Sequence, residues 1–469
     1  MNNEGTMKER IPLEIYLYGA VFVLLNGLAY EVDFVPALFF LLGAAIECRV
    51  FFLTRQTYGS VTALLILLCI NWPGSWTNIF GGTTAELQIS WFYLVAAVLA
   101  AVLGVNAIKE KQLFEKWHGA ALLWYVAVVC LVAVTFFRIS NEIDFLKNVI
   151  PLLFYWGILV LCALNENTLE RKQSAAIWSV FIAQNVFMAV MIIAQFIMFR
   201  AFGFSLFKIN LSGSWTGEMQ TGFIFLMEDA SSATSILGAA VLLASVRANK
   251  ENGRKFFYTT ISWILGIALA LTARRGGIVA CMASLVLYGV WELMQRRKFK
   301  DLLYRHGYDA LLCVLMIAFL NIVRPMLSLK NVIQPNRREQ GIQAAFEAVE
   351  RGDVGLLAGT GQGIGEIDVG MDHMIEAAPH NFFLNWMMLG GFLFAIAGSM
   401  LLLFLAVLAL RKHLYMEILL FVNCFICACV VPDIFDNRFF VVICAMILLQ
   451  KPILQVGFRA STEQNKYFE

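Results

Sequence analysis

The residues in this chain of 469 that are equipped for chemistry gather at two polar interruptions of otherwise apolar sequence. The first is Thr272-Ala273-Arg274-Arg275-Gly276-Gly277, where two adjacent arginines divide one apolar run from the next. The second is the long, mostly polar segment 324–380, which closes on Ala378-Pro379-His380-Asn381-Phe382-Phe383. Two guanidiniums beside glycines at a helix N-terminus offer forked donors, free backbone N–H groups and the positive end of a helix dipole. That combination suits a phosphate or a diphosphate. With the membrane orientation reversed, the same arginines read as ordinary cytoplasmic charges.

Other candidates have two readings each. His380, at the head of a span and next to Asn381, is placed to act as a general base or as a donor to a phosphate oxygen. The same pair also reads as an interfacial histidine beside a helix-capping asparagine. Arg337 and Arg338 lead a stretch to Glu350 with apolar residues at 342, 345, 346 and 349, helical spacing for one face resting on the protein or the interface. They are either solvated helix charges or part of a basic cradle. Glu228 and Asp229 open another span, where they cap the helix or activate an acceptor hydroxyl. Gly359-x-Gly361-x-Gly363 predicts a flexible turn; no strand–helix unit surrounds it, so a nucleotide-binding loop is excluded by context.

The elements that must position these groups are apolar. With 60% hydrophobic and 14% charged residues, and repeated apolar runs of about twenty residues, the chain reads as an all-α polytopic membrane protein. A net charge of +2 gives no basis for nucleic acid as a partner. Windows long enough to cross a bilayer fall near 11–30, 34–53, 59–74, 88–107, 119–137, 146–164, 174–199, 229–247, 256–273, 276–294, 308–323, 381–409, 415–432 and 436–450. The windows at 59–74 and 436–450 are short, which predicts about 12–14 transmembrane helices.

Alternating the connections from a cytoplasmic N-terminus places 23 of the 35 Lys and Arg on one side and 12 on the other. Five of those 12 lie in the long segment, so the positive-inside rule puts both termini in the cytoplasm. Arg274, Arg275, Arg438 and the long segment then fall outside. The organisation that follows is an N-terminal set of spans over 1–200, a second set with the arginine break over 201–323, a large extracytoplasmic loop over 324–380, and C-terminal spans with a short tail over 381–469. Cys424, Cys427 and Cys429 lie at lipid depth with no His or carboxylate between them, and read as packing rather than as a metal site.

The order of these features resembles the O-antigen ligase and polymerase superfamily of bacterial membrane glycosyltransferases. The features are a long apolar series, a Thr-x-x-Arg-Gly-Gly break, an arginine-led helix in a large outer loop, a Gly-x-Gly turn and His-Asn-aromatic opening the next span. The resemblance covers roughly 210–410, and Arg274 stands where the family has serine. It implies a lipid-dependent, GT-C-like architecture in a bacterial cytoplasmic membrane, with the active site extracytoplasmic. It implies a donor glycan on polyprenyl (undecaprenyl) diphosphate and transfer to a sugar hydroxyl without metal or cofactor. The catalytic set would be Arg275, His380 and Arg338, with Arg274, Gly276, Arg337, Asn381, Glu228 and Asp229 as substrate contacts. Other polysaccharide-assembly membrane proteins would be partners. Polymerase and ligase share these motifs. A lipid-linked sugar flippase is the alternative from another class, and would be expected to show paired halves and charges near mid-membrane.

Overall fold

The computed structural model describes residues 11–31, 36–74, 79, 89–109, 116–139, 142–203, 211–213, 220–223, 230–250, 252–272, 274–295, 306–318, 321, 337–363, 365–368, 374–377, 379, 381–429, 434, 435 and 437–453. Each apolar window of the sequence forms helix. The first seven are α1 (Leu13–Glu31), α2 (Pro36–Tyr58), α3 (Ser60–Asn71), α4 (Trp91–Lys109), α5 (Lys116–Phe136), α6 (Glu142–Leu164) and α7 (Arg171–Phe202). There follow α8 (Ala230–Lys250), α9 (Lys255–Leu271), α10 (Arg275–Gln295) and α11 (His306–Ala318). The long segment contributes α12 (Arg337–Glu350), and α13 (Phe382–Gly390), α14 (Phe392–Arg411), α15 (Tyr415–Ala428) and α16 (Phe440–Leu449) complete the series. Among the described residues seven of these, α4 to α8, α10 and α14, are long and apolar enough to cross a bilayer. The protein is a helical, multi-pass membrane protein whose environment is the lipid bilayer.

Two short antiparallel hairpins interrupt the helices. β1 (Leu211–Gly213) pairs with β2 (Gln220–Phe223), and β3 (Gly365–Asp368) with β4 (Met374–Ala377), Glu366 opposite Glu376. Both lie in polar connections, where no lipid has to be faced.

The two windows that looked short are central. Every residue of α16 is buried, and so is α3 from Thr62 to Asn71. A helix that is apolar all round is one sheathed on all sides; these two are wrapped by protein and need not match the bilayer thickness. α8 is sheathed as well, but it is rich in Ala, Ser and Gly, small side chains that let neighbouring backbones come close. It packs on α9, α10, α15 and α7, while α16 packs on α6, α14 and α15.

Polar bonds join distant parts of the sequence inside this apolar mass. Gln184 on α7 donates to the carbonyls of Gly19 and Ile70, at 3.1 and 3.2 Å. Leu169 exchanges backbone bonds with Leu449 and Lys451. Lys412 Nζ donates to the carbonyls of Ile447, Leu448 and Gln450 at 3.3, 2.7 and 3.1 Å, which closes the C-terminus of α16. Near the C-terminus of α10, His306 Nδ1 lies 3.0 Å from Asp309 Oδ2 and His306 Nε2 lies 3.5 Å from Glu292.

The run 381–409 is two helices rather than one span. Gly391 takes φ +87°, a left-handed value that favours glycine, and the chain breaks there. The peptide N–H groups of Phe392 and Leu393 donate to the carbonyls of Gly355 and Leu356. The loop thus replaces a helical turn that glycine gave up.

Candidate functional site

Arg275 is the first residue of α10 and Arg274 immediately precedes it; both side chains are exposed. α9 ends just before, its C-cap Thr272 turned back so that Oγ1 donates to the Leu269 carbonyl at 2.6 Å. Two guanidiniums therefore flank the open N-terminus of an apolar spanning helix. There the backbone N–H groups lack intrahelical acceptors and the dipole end is positive. Gly276 is half-buried beside them. Gly277 serves packing instead. A Cβ there would collide with the side chain of Thr234, so its missing side chain admits α8, not a ligand.

That close approach brings the first turns of α8 to the same end of the bundle. Ser235 Oγ donates to the Ser232 carbonyl at 3.0 Å and accepts from Asn437 Nδ2. The Ser235 carbonyl accepts from Asn423 Nδ2 at 2.7 Å, and Asn437 Nδ2 also reaches Cys424 Sγ at 3.6 Å. Cys424 and Cys427 are buried packing residues, as their surroundings in the sequence predicted, whereas Cys429 is exposed. The chain just before α16 is thereby fastened across α8 and α15.

Two aromatic contacts carry the same segment toward α13. Phe435 stacks on Tyr155 and on Trp386, with ring centroids 6.0 and 6.4 Å apart. Phe382, the first residue of α13, packs on Trp386 and on Phe425 of α15 at 5.2 and 5.4 Å. The guanidinium of Arg438 lies over the ring of Tyr93, 4.7 Å from its centroid, with the residue only 8% exposed. The N-termini of α4, α8, α10, α13 and α16 thus meet at one end.

Asn381 is the N-cap of α13. Its Oδ1 accepts from the backbone N–H of Phe383 and Leu384 at 3.0 and 3.2 Å. That oxygen caps the helix, as the second of the two readings its sequence position allowed. His380, Glu228 and Asp229 lie outside the described residues. Arg337 and Arg338 are the first two residues of α12, and their side chains also lie outside the description.

The turn 359–363 is held firmly against α13, contrary to the flexible turn its glycines suggested. Thr360 N–H and Oγ1 both bond the Met388 carbonyl, at 2.7 and 3.0 Å. A Cβ on Gly359 would meet that same carbonyl, and one on Gly363 would meet Asn385 Oδ1. Here Gly359 serves close packing of backbone on backbone, and Gly363 makes room for the Asn385 side chain. The buried face of α12 is Gly341, Ala344, Ala345 and Ala348, while Ile342 and Phe346 stay exposed, 42% and 58%. The docked face is shifted from the one that spacing by large apolar residues had marked, because small side chains fit against α13 and the β3–β4 hairpin.

Ser235, Asn423, Asn437 and Arg438 were not among the candidates. Their signal was in the charge pattern: Arg438 falls on the same side of the alternation as Arg274 and Arg275, in a short connection between two apolar runs. No family model, no curated protein and no solved structure matches this chain.

Proposed function

We propose that the protein is a membrane glycosyltransferase that extends a cell-surface polysaccharide. It takes a glycan from polyprenyl diphosphate and passes it to a sugar hydroxyl, at the outer face of a bacterial cytoplasmic membrane. Both termini are cytoplasmic in this reading. The architecture is lipid-dependent and GT-C-like, in the manner of the O-antigen ligase and polymerase superfamily.

The observation that supports this reading is the pair of exposed guanidiniums at the start of α10, a helix apolar enough to cross the bilayer. Two cationic side chains at the end of a membrane helix fit a ligand that is anionic at its head and apolar in its tail. In the transfer, the acceptor oxygen forms a bond to the anomeric carbon and the bond from that carbon to the diphosphate oxygen breaks. The leaving oxygen keeps the electron pair, and the hydroxyl proton passes to a base, the role assigned to His380. Charge therefore grows on the diphosphate as the bond breaks, and a fixed guanidinium stabilises it more in the transition state than before. Arg275 supplies that guanidinium, Arg274 and Gly276 line the approach, and Arg338 with Arg337 adds charge from α12.

Purified protein in detergent, given a short oligosaccharide on undecaprenyl diphosphate, tests the reading. A ladder of longer lipid-linked chains supports a polymerase. Transfer only when a foreign acceptor is added makes the protein a ligase, and no new glycosidic bond under either condition rejects the proposal in favour of transport.

A further inference from the structure

We propose that Glu47 of α2 and Asn71 of α3 form a binding site for a single alkali-metal cation, sodium or potassium, inside the bundle; this stands apart from the glycan-transfer reading. The site is built from two helices that pack on each other. Tyr58 ends α2 and Ser60 opens α3, and Glu47 and Asn71 lie equally far from that turn, so the pair comes to one level. The buried stripe of α2 is Gly43, Glu47, Val50, Thr54 and Tyr58, so Glu47 faces the bundle rather than lipid. The residue is only 6% exposed. Gly43, one turn before it, lies against Trp91 of α4.

A carboxylate withdrawn from water ordinarily has a partner. Neither oxygen of Glu47 accepts a hydrogen bond, and no lysine or arginine among the described residues acts on it. Arg49, two residues on, is at the surface and pairs with Glu14 at 3.5 Å. Asn71 is near enough to act on the carboxyl without the geometry of a hydrogen bond to either oxygen. Its Nδ2 donates to the Leu67 carbonyl at 2.8 Å, and its Oδ1 has no donor. Asn71 is also the last residue of α3, where carbonyls run out of helical donors and the dipole end is negative. Pro73 follows and carries no N–H, so the Cys69 carbonyl four residues earlier loses the donor that a continued helix would give it. Carboxylate, amide and carbonyl oxygens are the ligands of a hard cation. One carboxylate balances one positive charge, whereas a divalent ion would leave a charge uncompensated in an apolar interior. The ends of interrupted helices hold cations in this way inside membranes. The rival account is a carboxyl that stays protonated and only packs.

The experiment places the purified full chain in detergent and choline chloride and measures binding of radioactive sodium and, as the potassium analogue, radioactive rubidium. Wild type is expected to bind one ion per chain saturably, and the isotope that binds more tightly identifies the ion. Glu47→Gln keeps the shape without the charge and should lose affinity by about tenfold or more, the scale of an interaction with a charged group. In wild type alone, a hydrophobic carbodiimide, which reacts with protonated carboxyls, should label Glu47 in choline, and the ion should protect it. Labelling is read from the mass of the peptide that carries Glu47. Saturable binding of neither ion overturns the inference, and so does a folded Glu47→Gln protein that binds as wild type does. Labelling of Glu47 that neither ion lowers overturns it too, a readout independent of any variant's folding, and leaves the protonated carboxyl of the rival account.

Discussion

Asn437 Nδ2 donates to Ser235 Oγ across a separation of 202 residues, and this bond fastens the segment before α16 to the first turns of α8. Both residues are buried. The end of the bundle where the arginines gather is therefore held by polar bonds inside an apolar mass, where an unmade bond is expensive. Asn437→Ala is expected to lower stability by about 1–3 kcal/mol and to reduce transfer further than the loss of fold accounts for. Thermal unfolding in detergent and the transfer rate, measured on the same preparation, check this; unchanged unfolding would show that the bond is not made in solution.

Gly277 sits against Thr234, and a side chain there has nowhere to go. Gly277→Ala should destabilise by roughly 1–3 kcal/mol through overpacking, and Thr234→Gly in the same chain should recover part of that loss. If the double variant melts below both single ones, the contact is not what limits this position.

The apolar windows were legible in the sequence because a bilayer-length run leaves few alternatives to helix. The position of Arg275 at the head of α10 followed from the same runs. What spacing concealed was of two kinds. The backbone break at Gly391 depends on a positive φ and on carbonyls of Gly355 and Leu356 that reach it from the loop. The cluster of Ser235, Asn423, Asn437 and Arg438 is assembled from α8, α15 and the segment before α16, and no periodicity relates them. Likewise the docked face of α12 is marked by small residues, Ala344, Ala345 and Ala348, whose burial depends on the partner surface rather than on hydrophobicity.

Gly391 offers a test of the loop's part in the reaction. A Cβ there would meet Ala358 while the backbone holds φ +87°, so Gly391→Ala should cost about 1–3 kcal/mol in local strain and loosen the loop from α13. Limited proteolysis should cut within 351–363 faster in the variant, and transfer should slow. Equal cleavage rates would mean that the loop is held by its other bonds, those of Thr360 to Met388 among them.

Lys412 closes the C-terminus of α16 with three carbonyl acceptors, at the other end of that helix from Arg438. Lys412→Met leaves those buried carbonyls without the ammonium and should lower stability by about 1–3 kcal/mol. The rate per folded molecule should not change. A fall in rate with unaltered unfolding would place Lys412 in the reaction and contradict its role as a cap.

The central claim is that Arg275 holds the diphosphate as it leaves. Its side chain is exposed, so Arg275→Ala should fold and insert as wild type does. We would measure single-turnover transfer from an undecaprenyl diphosphate oligosaccharide by wild type and Arg275→Ala, matched for unfolding temperature. The account predicts a rate lower by roughly a hundredfold or more, the effect of removing a preorganised donor to a developing anion. A folded Arg275→Ala protein that builds chains at the wild-type rate would contradict it.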